Sequence, residues 1–446
     1  MLRNRQRYLI LALITVVLAF STGDRATLSV AGSGMSKELN LSPVQMGWLF
    51  SSFAWAYVLA HIPAGWLVDK LGAKRTVLFG VILWSVCTAL QGAAAWFGST
   101  FAALLVLRFL MGVFEAPVGP ASGRIIAMWF PSGERGMAGA IFNSAQYLSL
   151  AVFTPLMGWL DHKFGWEHVF SVMGGLGLLI ALLWYVGFHA PATHPKVTKE
   201  ELDTIQAGGA LTELNARASL AKDCSAPRIR DLFRSRMLCG IFLAQYCITA
   251  ITWFFVSWFP TYLVKERGFS ILNAGFVASV PAIAGFIGGV TTGFVTDWLL
   301  RRTGSLTLAR KLPITIGLLM TAAMMGCNYV ETDWMVIGLM AVAFFGKGFG
   351  SLGWTVVADT APKAMIGVTG GVFNAIGNSA GIVTPLVIGY ILSQTGSFHG
   401  ALIYVGAHGL VAVLSYWLIV GRIERFELPP SATSPRLDAQ GQVLKA

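Results

Sequence analysis

Twelve times along this chain, a stretch of about twenty mostly apolar residues rises and ends, the length that crosses a bilayer's hydrocarbon core. We place these stretches near 8–30, 46–68, 76–97, 100–120, 137–160, 167–188, 237–263, 273–296, 312–329, 333–356, 366–392 and 400–421. Backbone in lipid must satisfy its own hydrogen bonds, so the pattern predicts an all-α membrane protein. Composition agrees: 12% of residues are charged, against about 25% in ordinary soluble domains. The 50 glycines suit closely packed membrane helices. A net charge of +11 raises the question of nucleic acid, but an excess of cytoplasmic lysine and arginine produces the same balance, and no nucleic-acid partner is expected.

The first twenty residues, MLRNRQRYLILALITVVLAF, imitate a secretory signal. No A-x-A cleavage site follows, so they read as an uncleaved first helix. The five cysteines are scattered, with no CxxC pair, and imply neither a disulfide framework nor a metal site.

Basic residues set the orientation. One set of loops holds Arg3, Arg5 and Arg7; Lys70, Lys74 and Arg75; Arg124 and Arg135; Arg301, Arg302, Arg310 and Lys311; Lys363; the 189–236 segment; and the tail. The opposite loops hold only Lys37, Lys163, Lys265 and Arg267. Both termini and the central segment are therefore expected in the cytoplasm. The domain reading is a six-helix bundle over 1–188, a polar cytoplasmic linker over 189–236, a second bundle over 237–421 and a tail over 422–446.

The halves echo each other. PSGERGMAGAIFN (Pro131–Asn143) matches PKAMIGVTGGVFN (Pro362–Asn374) in Pro, Gly, Gly, Phe and Asn, and both runs continue to TPL. GWLVDKLGAKR (Gly65–Arg75) is echoed by GFVTDWLLRR (Gly293–Arg302). Such repeats imply two bundles related about the membrane normal, with a site between them near the midplane. Gly65, Asp69, Gly72, Lys74 and Arg75 also carry a resemblance, to the loop between helices 2 and 3 of major facilitator superfamily transporters. There Asp69 is expected to meet a helix N-terminus and cations across the bundle interface, biasing an open–closed equilibrium. The bland alternative is a solvated basic loop that only sets topology.

Two clusters of charge interrupt the apolar runs: Asp24-Arg25, and Arg108 with Glu115 in RFLMGVFEAP. Arg108 and Glu115 are seven residues apart and share a helix face. Counting helical rise puts Asp24 about 9 Å and Arg108 about 12 Å from the outer side, with Glu115 about 10 Å deeper than Arg108. The four can neutralise one another as a packing network. Ionisable groups at membrane depth also mark substrate or proton paths. A carboxylate in low dielectric binds a proton readily, and an arginine offers a fork to a carboxylate ligand. An anion competing with the acids for the arginines would link its entry to protonation, which is symport.

Polar and aromatic residues complete the candidate site: Tyr57; Asn143, Gln146 and Tyr147; Asn374 and Asn378; and Lys347, Ser351 and Trp354 on one expected face of the tenth span. Each is as fit for packing as for a ligand. His61 reads as packing or gating. Lys347 falls about 20 Å into its span, close to the midplane, and could serve a second carboxylate. Otherwise it reaches toward the cytoplasmic side to pair with Asp359 or Glu115. No catalytic constellation competes, and GFGSLG lies inside a span rather than after a strand, so no enzyme is expected.

Beyond the superfamily loop, DRATLSVAG, RFLMGVFEAP, WFPSGERG, IFNSAQY and TPL resemble the anion:cation symporters. GWEHVFSVMG, ITWFFVSWFPTYLV, LARKLPI, AFFGKGFGSLGW and DTAPK resemble their glucarate/galactarate branch. The resemblance implies a monomeric, inner-membrane proton symporter of a sugar-derived organic anion, using the proton gradient and no cofactor. It assigns proton coupling to Asp24 and Glu115, anion contact to Arg25, partnership with the acids to Arg108, and substrate contacts to Tyr57, Gln146, Ser351, Trp354 and Asn374. An aldonate or hexuronate symporter is the nearest alternative; an organophosphate antiporter and a transport-dead sensor are further ones. Where the family reads N-Y-x-D-R, this chain reads Ser21-Thr22-Gly23-Asp24-Arg25, which leaves fine substrate specificity open.

Overall fold

A computed structural model describes residues 6–97, 99–131, 134–212, 229–362 and 365–427. Arg3, Arg5, Lys363, the middle of the 189–236 segment and the tail beyond 427 lie outside them, as does the Asn143 side chain. Among the described residues there are helices and no strand.

The first group of helices is α1 (Gln6–Glu38), α2 (Pro43–Leu71), α3 (Ala73–Gln91), α4 (Thr100–Glu115), α5 (Val118–Trp129), α6 (Arg135–Phe164) and α7 (Trp166–Gly187). A short helix, α8 (Lys199–Ala207), follows. The second group is α9 (Arg236–Ser257), α10 (Phe259–Lys265), α11 (Ile271–Thr303), α12 (Leu306–Thr321), α13 (Asp333–Gly348), α14 (Leu352–Thr360), α15 (Ile366–Thr395) and α16 (His399–Leu414). Ten helical segments among the described residues are long and apolar enough to cross a membrane. Two further helices, α2 and α6, are 29 and 30 residues long.

Local chemistry sets the ends. Ser42 caps α2 in a reciprocal box with Gln45. The turn from α2 into α3 needs φ +81° at Gly72, a conformation costly for any other residue, which accounts for that glycine in the GWLVDKLGAKR run. Pro117 removes a backbone donor and ends α4 directly after Glu115.

The first and last described residues, Gln6 and Glu427, lie on one face of the molecule, here called proximal. On that face Arg7 pairs with Glu134 at 3.3 Å, and the Phe426 amide donates to the Thr360 carbonyl at 2.8 Å. The described part of the linker is docked there. Glu201, 1% exposed, accepts from the amides of Gln6 and Arg7 at the start of α1, where the helix dipole favours a carboxylate. Arg135 donates to Gly209, and Leu211 to Ala127.

The two groups meet along α2 with α15 and α6 with α11. At the opposite, distal face the approach is backbone to backbone. A Cβ on Gly47 would stand 2.8 Å from the Pro385 oxygen, and one on Gly158 3.0 Å from the Cα of Gly275. Such spacing is what small residues provide between membrane helices. Trp258 donates to the same Pro385 oxygen at 3.2 Å, and Ser51 to Ile382 at 3.0 Å. Below these contacts lies an apolar plug of Ala26, Leu150, Phe255, Val256, Ala282 and Phe344, with the Phe255 and Phe344 rings 4.2 Å apart. The distal face is closed.

Candidate functional site

Just proximal to the plug, α1 presents Asp24 and Arg25. Neighbours on a helix point about 100° apart, so the two side chains meet different helices. Asp24, fully buried, turns to α3, where the Thr88 hydroxyl donates to its Oδ2 at 2.7 Å. Arg25 turns to α2 and α4. Its Nε and Nη2 reach one oxygen of Glu115 at 2.6 and 2.5 Å. Its guanidinium lies 5.0 Å from the Phe53 ring centre and 4.7 Å from that of Tyr57, two cation–π contacts that hold its plane. One turn earlier on α1, the Ser21 hydroxyl donates to the same Glu115 oxygen at 2.6 Å. The Arg25 side chain keeps 17% of its surface accessible and Glu115 none, so a solute meets the arginine first.

This pairing differs from the sequence expectation. Arg108 is no direct partner of the acids: among the described residues no carboxylate oxygen lies within 4.0 Å of it. It is 1% exposed, contacts Met111 Sδ at 3.6 Å and lies 5.5 Å from the Phe53 ring centre. Helical rise places backbones, while an arginine's length lets it span a turn or more. That reach carries Arg25 down to Glu115. Ser21, Thr88 and Met111 are site residues that sequence reasoning missed. Ser85, Thr88 and Gln91 recur every three residues in an otherwise apolar run, and that spacing was the available signal for Thr88.

The second wall belongs to α13. Lys347, 6% exposed, donates to the Tyr147 hydroxyl on α6 at 3.1 Å, and its ammonium lies 4.6 Å from that ring's centre and 5.3 Å from that of Phe344. It pairs with neither Asp359 nor Glu115: Asp359 is held by Arg310 at 2.9 Å and Glu115 by Arg25. The helix breaks here into a short 3-10 turn, Phe349–Ser351, so the single face expected for Lys347, Ser351 and Trp354 is not kept. Lys347 is buried, whereas Ser351 and Trp354 are exposed. Trp354 packs edge-on against Phe373 at 5.0 Å. Glu115 and Lys347 thus both stand at helix discontinuities, one in each half.

Proximal to the two walls, Asn374 on α15 and His61 on α2 share a hydrogen bond of 3.3 Å, and Asn378 donates to the Asn374 side chain at 3.0 Å. His61 rests against Tyr57, ring centres 5.1 Å apart. Gln146 is half-buried beside Tyr147 on α6. In the loop motif, Asp69 pairs with Arg124 of its own helix group rather than across the interface. Lys74 lies 5.6 Å from the Tyr185 ring centre, its carbonyl accepts from Trp184, and Arg75 is exposed. Gly65 has open space around it.

The arrangement is a set of buried ionisable groups between two helix groups, closed distally. It fits an anion site that two halves can enclose in turn. Known proteins point the same way. The sequence profile of the Major Facilitator Superfamily matches residues 14–385. The chain is 54% identical over 435 residues to the probable galactarate/D-glucarate transporter GudP of Escherichia coli K12, covering 96% of this chain and 97% of the relative. It is 41% identical to the D-galactonate transporter of E. coli O6:H1, covering 95% and 97%. A solved D-xylose–proton symporter superimposes with a TM-score of 0.70 at 15% identity, over 93% of this chain and 99% of that one. With repeat, loop motif, helix packing and full-length relatives in agreement, this multi-pass membrane chain belongs to the major facilitator superfamily.

Proposed function

We propose that the protein is a proton-coupled symporter of a sugar-derived carboxylate, with D-glucarate or galactarate as substrate. It is a transporter and not an enzyme, and it works by alternating access of two six-helix bundles, 1–188 and 237–421, joined by the 189–236 linker and followed by the 422–446 tail. The ten apolar helical segments together with α2 and α6 supply twelve crossings of the inner membrane. Both termini are in the cytoplasm on this reading, which the excess of basic residues on the proximal side supports. The protein acts as a monomer, with no cofactor beyond the proton gradient.

The observation that carries this reading is the Arg25–Glu115 pair at 2.5 Å, its carboxylate fully buried and its arginine partly accessible. A substrate carboxylate can take the arginine fork only as Glu115 gives it up. A carboxylate left buried without its cation is costly, and a proton removes that cost. Substrate and proton binding are thereby coupled at one atom pair. Asp24 is the second acid, held by Thr88, which shares the Met111 sulfur with Arg108. Tyr57, Gln146, Ser351, Trp354 and Asn374 supply aromatic, hydroxyl and amide contacts to the sugar chain. Gly65, Asp69, Gly72, Lys74 and Arg75 form the gating loop, whose acid exchanges Arg124 for the other bundle when the proximal side closes.

The test is uptake of labelled D-glucarate, galactarate and D-galactonate into proteoliposomes, with and without an imposed pH gradient. Accumulation of a sugar acid only under an inward-directed proton gradient is the expected result. Accumulation indifferent to that gradient refutes proton coupling. A monoacid symporter is the second reading, favoured by the 41% identity to the D-galactonate transporter.

A further inference from the structure

Three cations, Arg25, Arg108 and Lys347, stand at membrane depth against two carboxylates, Asp24 and Glu115. Arg25 has Glu115. Arg108 has no such direct pair, but it and Thr88, the donor to Asp24, both contact Met111 Sδ, so the second acid is in its neighbourhood. Lys347 is left over. No carboxylate lies within 4.0 Å of it among the described residues, and its partner is a neutral phenol. A buried ammonium is costly without an anion. Lysine usually meets that cost by stretching toward water. Lys347 does not, since Tyr147 and Phe344 hold it inside.

Its position matters as much as its charge. The plug touches both walls. Ala26, next to Arg25, and Phe344, one turn distal to Lys347, line it together. Arg25 and Lys347 therefore sit beneath one apolar ceiling, one on each helix group. Tyr147 belongs to the first group and Lys347 to the second, so the hydrogen bond between them already crosses the seam.

We propose that Lys347 binds the second carboxylate of a sugar diacid whose first carboxylate is held by Arg25. This deepens the symport reading and rests on it. A diacid then bridges the two bundles through one cation on each, and its length is sensed by whether both ends reach. A monoacid reaches Arg25 alone and leaves Lys347 on its phenol.

The experiment measures binding of galactarate and D-galactonate to purified wild type, Lys347→Gln and Lys347→Arg near neutral pH, and compares the two affinities within each preparation. Lys347→Gln should weaken galactarate binding about ten- to a hundredfold, the worth of a hydrogen bond to a charged group. D-Galactonate binding should move by less than about threefold, and Lys347→Arg should keep the preference for the diacid. Lys347→Met buries no polar atom and replaces the glutamine variant if that one does not fold. Equal losses for both ligands, or no loss for galactarate, overturns the proposal. So does a wild type that prefers D-galactonate, which leaves the symport reading standing. A wild type that binds neither sugar acid refutes the symport reading itself.

Discussion

The two helix groups repeat each other in sequence yet treat charge in opposite ways. The first group gathers Asp24, Arg25, Arg108 and Glu115 at membrane depth, joins Arg25 to Glu115 at 2.5 Å and satisfies Asp24 from Thr88. The second buries Lys347 at the matching helix break and gives it only a tyrosine from the other group. Near the proximal face the contrast is milder. Asp69 pairs with Arg124 in one half and Asp359 with Arg310 in the other, but Asp69 is 69% exposed and Asp359 only 25%. The difference teaches a division of labour. On the proposed reading, one half holds groups that exchange a proton for a substrate, and the other holds a cation that reads what arrives.

That division can be broken most directly at Glu115. Glu115→Gln imitates the protonated acid, so it should abolish uphill uptake while keeping substrate binding. Full proton-driven accumulation by this variant would return the coupling role to Asp24 or to the other half. Next in size is Arg25→Lys. The charge stays, but the fork and the flat face on Phe53 and Tyr57 are lost, and binding should fall about a hundredfold. Wild-type affinity in this variant would mean that the carboxylate is held elsewhere, with Arg108 the next candidate.

A wedge in the distal seam sharpens the comparison by separating the halves without touching either wall. Gly158 meets the Gly275 backbone, so Gly158→Leu overpacks the contact at a cost of about 1–3 kcal/mol. The distal-closed population should drop by about tenfold or more, read as faster thiol labelling of a cysteine placed at the distal mouth. Unchanged labelling would show that this seam does not hold the closed state.

The smallest effect concerns the linker, which docks on the first half. His194 packs edge-on against Trp129 at 5.6 Å. Burial first, then its neighbour His189, lowers its pKa below the ordinary 6.5. The docked ring favours its neutral form, so docking is fully supported above 6.5 and weakens as pH falls from there through the lowered value. Amide exchange across Lys199–Ala207, corrected for its intrinsic pH dependence, should quicken modestly below 6.5. Exchange that does not change would mean that contacts other than that of His194, such as those of Glu201, Arg135 and Leu211, hold the linker.

Much of this architecture was legible because membranes impose few solutions. Run length pointed to helices, the repeat pointed to two halves, and the positive φ at Gly72 explains a motif glycine visible from the start. Lys347 and Glu115 stood out because charge inside an apolar run is rare. Other features depended on direction. Asp24 and Arg25 are adjacent in the chain and go to different helices, α3 and α4. Ser21 looked like a departure from a pattern and turned out to donate to Glu115. The 3-10 turn at Phe349–Ser351 rotated Ser351 and Trp354 away from the burial of Lys347.

The sequence by itself determined a helical membrane protein with charges near its centre, because the hydrophobic length of a bilayer and the cost of a buried charge act on residue type alone. Only the tertiary structure decided which cation meets which acid. Rise per residue gives a backbone height, but a long side chain covers a helical turn or more in a direction set by the neighbouring helices. For Arg25 that direction ends at Glu115, and for Lys347 it ends at Tyr147, across the seam.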